Sequence, residues 1–332
     1  MGCLLGGMVG DAAGAVLEFS SGGPLKLEAV ERAMRMPGGG AHNVGPGQIT
    51  DDSELDLALL AALSSGGRSS FSKFPIEAIA ANYIAWHRSI PFDMGMTCGR
   101  ALAFAESAAD AQANAMRYSM LSEANGALMR SAPIAVWAAI GGADPWAAAV
   151  QDARLTHPSR PCLEANALYC VALTHLLRNH GDAVGAVEAA EQRSSECCDC
   201  VRTWLLEESI KPLEQIECHM HIGHVRHAFV LAFRFLRSAT CYEVAVRETL
   251  LKGGDTDTNA KIVGNMMGAL HGRAAIPRYM ADPVLSFDPV TFDVRKHLVG
   301  INRPATCRAS NVGRLLDELF KKARAKQPTA AS

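Results

Sequence analysis

Aromatic side chains are scarce in this chain, at 6% of 332 residues, and alternating strand-like runs between hairpin turns are nearly absent. Sheet-rich folds draw on both, which argues against a β-sandwich or barrel. Neither sign of charge is in excess: 32 basic and 34 acidic residues leave a net charge of −2. That balance points to neither nucleic acid nor an acidic membrane surface. The N-terminal apolar stretch is never long, because Gly6, Gly7, Gly10, Asp11 and Gly14 interrupt it. A signal peptide or spanning helix is not expected there, and the expected location is the cytoplasm. Also missing are a Walker loop, a Gly-x-Gly-x-x-Gly after a strand, His-Glu-x-x-His and Gly-x-Ser-x-Gly. Kinase, dehydrogenase, zincin and serine-hydrolase readings lose their main support with them.

What is present is helical. Apolar residues three and four apart recur at 55–63, 76–86, 101–109, 124–140, 145–155, 162–177, 225–236, 243–251, 260–270 and 312–323. The segments 38–47, 64–72 and 282–293 read as irregular. No composition shift marks a boundary and no solenoid period occurs, so one all-α domain is expected over 1–326, with a frayed tail at 327–332.

Of the 10 cysteines, Cys3, Cys98, Cys162, Cys170 and Cys241 sit among apolar residues and read as small core side chains. Cys197, Cys198 and Cys200 lie upstream of Cys218, His219, His221, His224 and His227. Their Cys-x-Cys spacing is not the usual Cys-x₂-Cys of zinc sites and favours a solvent-facing turn.

Two short acidic clusters stand out: Thr50-Asp51-Asp52-Ser53, and Gly253-Gly254-Asp255-Thr256-Asp257-Thr258. Each precedes a helical run, so each can be a plain N-terminal cap. If they meet in the fold, their mutual repulsion needs positive charge, and neither cluster contains Lys or Arg. A hard divalent cation suits carboxylate and hydroxyl ligands. A third feature, Gly2-x₃-Gly6-Gly7-x₂-Gly10-Asp11-x₂-Gly14-x₃-Glu18, reads as a helix small enough for another to approach, with Asp11 and Glu18 in need of partners. In Ser122-Glu123-Ala124-Asn125-Gly126, donors at a helix start suit a phosphate or ribose; Arg130 reads as an internal ion-pair partner within an apolar helix. His157, in Thr156-His157-Pro158, reads first as a contact at a helix end.

In this order the pieces resemble the ADP-ribosylglycohydrolase family, over Gly2–Glu18, Gly47–Leu55, Ser122–Pro133, Thr156-His157 and Gly253–Pro277. The resemblance implies a compact all-helical orthogonal bundle with a central binuclear metal cleft. It implies Thr50, Asp51, Asp52, Asp255, Asp257 and Thr258 as ligands of two Mg²⁺ or Mn²⁺ ions, with Glu18 close by. It also implies cleavage of the bond between ADP-ribose C1″ and an acceptor side chain. Ser53 stands where Thr is usual, Ala124 where Gly is common and Tyr279 where Trp is common, and 193–222 matches no family segment.

Such a cleavage needs an activated water and help for the leaving group. Glu18, Asp52 and Asp257 are the carboxylates expected to move the proton. The diphosphate is expected along Gly95–Gly99 and Ser122–Gly126, with Asn125 and His157 as further contacts. The partner is an ADP-ribosylated protein or small molecule, arginine-linked rather than serine-linked, and the chain is expected to act as a monomer. Two other readings stand beside this one. A non-catalytic or crystallin-like relative has no reason to keep six oxygen ligands, and a two-metal phosphohydrolase would yield phosphate or AMP.

Overall fold

A helix in which no residue is exposed opens the chain. In this computed structural model, which describes residues 1–20, 23–65, 71 and 73–324, every residue of Gly2–Gly14 is buried. Five glycines in thirteen residues oppose helix formation in water, so the helix depends on what packs around it. Its main partner is the Thr256–His271 helix, buried from Thr256 to Leu270. A Cβ at Gly10 would lie 2.1 Å from the Ala260 carbonyl oxygen, and one at Gly264 would lie 2.3 Å from that of Gly6. Glycine is required on both sides of this seam because the backbones touch.

The helices Arg160–Arg178, Val225–Arg237 and Tyr242–Leu251 pack around the pair. Tyr242 and Tyr169 donate their hydroxyls to the Gly6 and Ile262 carbonyls at 2.6 and 2.7 Å. On another side, Asp51–Ser65 packs against Ile76–Arg88 and Asn311–Arg324. The last of these buries Val312, Leu315, Leu316 and Leu319, an amphipathic stripe at helical spacing. The described residues hold seventeen α-helices and no sheet; Gly39–Val44 and Ala124–His224 form isolated antiparallel bridges. No described helix is long and apolar enough to cross a membrane.

Several expectations need correction. The run at 101–109 is two helices, Met96–Leu102 and Ala108–Tyr118. Ser107 accepts from the Asp110 N–H while Asp110 accepts from the Glu106 N–H, a reciprocal cap that starts the second helix. The run at 124–140 becomes helical only at Ala132, so Arg130 lies outside the helix. The Asn125 N–H is taken by the Gly223 carbonyl, and Pro133 favours a helix start. Part of the irregular 282–293 segment belongs to the Arg278–Ser286 helix. Cys241 is exposed, whereas Cys3, Cys98, Cys162 and Cys170 are buried. Most of 64–72, residues 325–326 and the expected tail at 327–332 lie outside the described residues.

Candidate active site

The Asp51–Ser65 helix is capped from outside. Asp11, on the first helix, accepts from the Thr50 N–H at 3.1 Å, the Thr50 hydroxyl at 3.0 Å and the Ser53 N–H at 3.1 Å. The acidic cluster therefore does not cap its own helix as expected, and the Asp51 and Asp52 carboxylates are free to face elsewhere. The second cluster follows the same logic. Gly253 and Gly254 take φ of 69° and 75°, which lets the chain turn sharply into Thr256–His271. Asp255 stands at the cap position without making the cap bond; its Oδ2 accepts from Asn125 Nδ2 at 2.7 Å. Thr256 is tied to the Gly14 carbonyl at 2.8 Å.

The two clusters meet. Thr258 donates to Asp52 Oδ2 at 3.2 Å, and Glu18, Asp255 and Asp257 offer oxygens within 4.8 Å of one another. A cleft of about 350 Å³ is walled by Glu18, Asp51, Asp52, Asp255, Asp257 and Thr258 on one side. Gly95, Asn125, Gly126 and His157 line it too. Three expected residues do not line it. Thr50 is fully buried against Asp11, Ser122 shares a 2.8 Å hydrogen bond with Thr97, and a Cβ at Gly99 would meet the Met94 side chain.

Electrostatics here is dominated by uncompensated acid. Burial, then Asp93 and Asp255, pushes Glu18 up to about 9. Burial followed by neighbouring carboxylates holds Asp51, Asp52 and Asp257 well above the usual range. One cation lies beneath them. Lys261 donates to Asp56 at 2.8 Å and to Ser53 at 3.2 Å. Burial works to lower its pKa, but Asp56, Asp11 and Asp52 outweigh that and keep it charged. Lys261 serves the floor and leaves the cleft face acidic. Buried Asp52 Oδ1 and Glu18 Oε2 have no hydrogen-bond partner. Oxygen-only donors, crowded and unpaired, fit a hard divalent cation.

On the other wall, burial and then Arg130 push His157 down to about 3, so its imidazole is neutral. Its Nδ1 pairs with the Thr156 hydroxyl at 2.7 Å, and Nε2 is unpartnered. A Cβ on Gly126 would lie 2.9 Å from this ring. Arg130 pairs with Asp152 at 3.0 Å, both fully buried, and its guanidinium lies 4.6 Å from the Tyr83 ring centre. The internal ion pair expected for Arg130 is present.

Sequence reasoning missed Asp93, His42 and Phe19. Asp93 and Phe19 line the cleft, and His42 forms a second compact group with Glu18 and Asp93. All three lie on irregular segments where no periodicity flags them. Lys261 left a usable signal: a lone Lys within the apolar Ala260–Leu270 run of the helix. The cysteines of 197–200 gather no third ligand; among the described residues only Glu18–His42–Asp93 and Glu18–Asp255–Asp257 are compact enough for one ion.

A model of the ADP-ribosylglycohydrolase family matches residues 1–314. An ADP-ribosyl-[dinitrogen reductase] glycohydrolase of Rhodospirillum rubrum is 29% identical over 282 residues, covering 83% of this chain and 87% of its own. An ADP-ribosylarginine hydrolase of Pseudomonas putida is 26% identical over 284 residues, covering 83% and 71%. Among solved structures, a chain from an "ADP-ribosylglycohydrolase-related protein complex" superposes with a TM-score of 0.71. It is 24% identical, with 98% of this chain and 97% of that one covered, and it speaks to the fold.

Proposed function

This chain belongs to the ADP-ribosylglycohydrolase family, and we propose that it hydrolyses the C1″ glycosidic bond joining ADP-ribose to an acceptor, with arginine preferred over serine. The observation that carries this reading is one cleft lined by Asp51, Asp52, Asp255, Asp257 and Thr258, with Thr50 directly behind, in which Asp52 Oδ1 and Glu18 Oε2 lack partners. Those six cluster residues would hold two divalent cations, Mg²⁺ or Mn²⁺, which supply Lewis-acid charge at the ribose hydroxyls and the attacking water. The arginine preference is supported by the relative named as an ADP-ribosylarginine hydrolase.

The chain's own groups do the rest. Hydrolysis forms a C1″–O bond from water as the C1″–N bond to the acceptor breaks. The water's proton passes to a carboxylate, Glu18, Asp52 or Asp257, and then to the departing guanidine. Asn125 fixes Asp255 through its 2.7 Å bond. Gly95, with open space beside it, and Gly126 bring backbone to the cleft surface, where the diphosphate can approach N–H groups, and neutral His157 offers Nε2 to a ribose or phosphate. Ser122 steadies the lining residue Thr97 through their 2.8 Å hydrogen bond, and Gly99 continues the segment that carries Gly95. The chain would act as a cytoplasmic monomer on an ADP-ribosylated protein or small molecule.

The test is release of ADP-ribose from arginine-linked and serine-linked peptides, with and without EDTA. Release that EDTA abolishes and Mg²⁺ or Mn²⁺ restores is expected. Robust turnover in EDTA would sink the metal assignment, and phosphate or AMP as product would sink the glycosidic one.

A further inference from the structure

Phe19 is apolar, yet it is 59% exposed, lines the acidic cleft and takes a left-handed φ of 58°. A bulky residue in that conformation is strained, and its ring stands at the mouth of the cleft instead of in the core. Its backbone neighbour Glu18 is 8% exposed, and Glu18 Oε2 lies 3.2 Å from His42 Nε2 without the alignment of a hydrogen bond. Asp93 Oδ2 lies 3.6 Å from the same His42 nitrogen. The His42 ring stands edge-on to Phe19 with centroids 6.0 Å apart, and 5.9 Å from Phe92. The mouth thus offers an exposed aromatic ring and, across His42, the Asp93 carboxylate.

We propose that Phe19 sets acceptor specificity by charge: its ring carries an acceptor guanidinium whose N–H groups are taken by Asp93. A planar guanidinium both stacks on aromatic faces and donates in a fork to carboxylates. A serine-linked acceptor brings no cation and gains nothing from either. His42 is the positioning residue, since it touches both carboxylates and braces the Phe19 ring. This inference rests on the hydrolase reading and names which acceptor that site selects.

The experiment compares Phe19→Ala, Phe19→Leu and Phe19→Trp with the wild type on arginine-linked and serine-linked ADP-ribosyl peptides, with helical content checked by circular dichroism. Loss of a cation–π contact should raise KM for the arginine-linked peptide roughly three- to thirtyfold in the Ala and Leu variants, with kcat little changed. The serine-linked KM should not move, and Trp should restore the arginine-linked KM. Equal effects on both peptides, no effect on either, or full rescue by Leu would each overturn the proposal. A wild type that cleaves neither peptide would overturn the hydrolase reading, and this inference with it. Cleavage of the arginine-linked peptide with Phe19→Ala unaffected removes only the role of Phe19.

Discussion

The Thr258 hydroxyl donates to Asp52 Oδ2 at 3.2 Å, joining two acidic segments 206 residues apart in the chain. Asp52 Oδ1, the other oxygen, is buried and unpartnered. Asp52→Asn keeps the shape and an acceptor for Thr258 while removing the charge. Turnover should fall roughly 10²–10⁴-fold, the usual scale for removing a group that moves a proton. Circular dichroism should be unchanged and Mn²⁺ binding, followed by calorimetry, should weaken. A fully active variant would remove Asp52 from the site.

Stability without metal should fall as pH rises. Glu18 titrates near 9 in the folded chain against 4.5 ordinarily, and Asp51, Asp52 and Asp257 are raised in the same direction. Between those limits the folded chain binds more protons than the unfolded one, so the slope of unfolding free energy against pH is negative. For Glu18 the contribution is fully present below 4.5 and lost as pH passes 9. Urea midpoints in EDTA should decline across this window. Millimolar Mg²⁺ should flatten the decline by binding the ionised form. A rising midpoint in EDTA would contradict the charge assignment.

Gly264→Ala tests the glycine seam. Its Cβ would stand 2.3 Å from the Gly6 carbonyl oxygen, backbone against backbone. About 1–3 kcal/mol of destabilisation is expected from the forced separation. Because the two helices carry Asp11 and Asp257, activity should drop more than the unfolded fraction accounts for. Urea unfolding and turnover on one preparation separate the two effects.

Arg130→Met strands Asp152, which is fully buried and otherwise accepts only from Tyr83 among side chains, at 2.9 Å. Removing one partner of a buried pair typically costs about 3–5 kcal/mol. The same change removes a positive neighbour of His157, whose pKa should rise from about 3 while burial still holds it below 6.5. Imidazole NMR follows this directly, and an unmoved His157 would contradict the coupling.

Much of this site is legible in composition, because carboxylates in apolar surroundings require an explanation. Asp11 and Glu18 within a glycine-rich apolar segment, and two acidic starts after glycine turns, are conspicuous for that reason. The Gly2–Gly6–Gly10 spacing likewise signals a helix that another must touch. Ala124–Ser131 misleads because a buried turn and a buried helix share the same apolar composition; the pairing of Asn125 with Gly223 that separates them is a tertiary fact. Asp93, His42 and Phe19 sit in loops, where neither helical nor strand periodicity exists to single them out. The capping of Thr50 and Ser53 by Asp11 is equally out of reach, since cap rules look only to neighbours in sequence.

The seam between the first helix and Thr256–His271 also imposes an order of events in synthesis. Gly2–Gly14 leaves the ribosome before its partner, with no face suited to water, and the partner follows some 250 residues later. At about 5–20 residues per second that interval is roughly ten to fifty seconds. Until it ends, Asp11 cannot be held where it caps Asp51–Ser65, and Asp52 has no Thr258 to meet. The acidic cleft therefore cannot close until Thr258 has been made, long after Asp11 and Asp52 are already outside the ribosome.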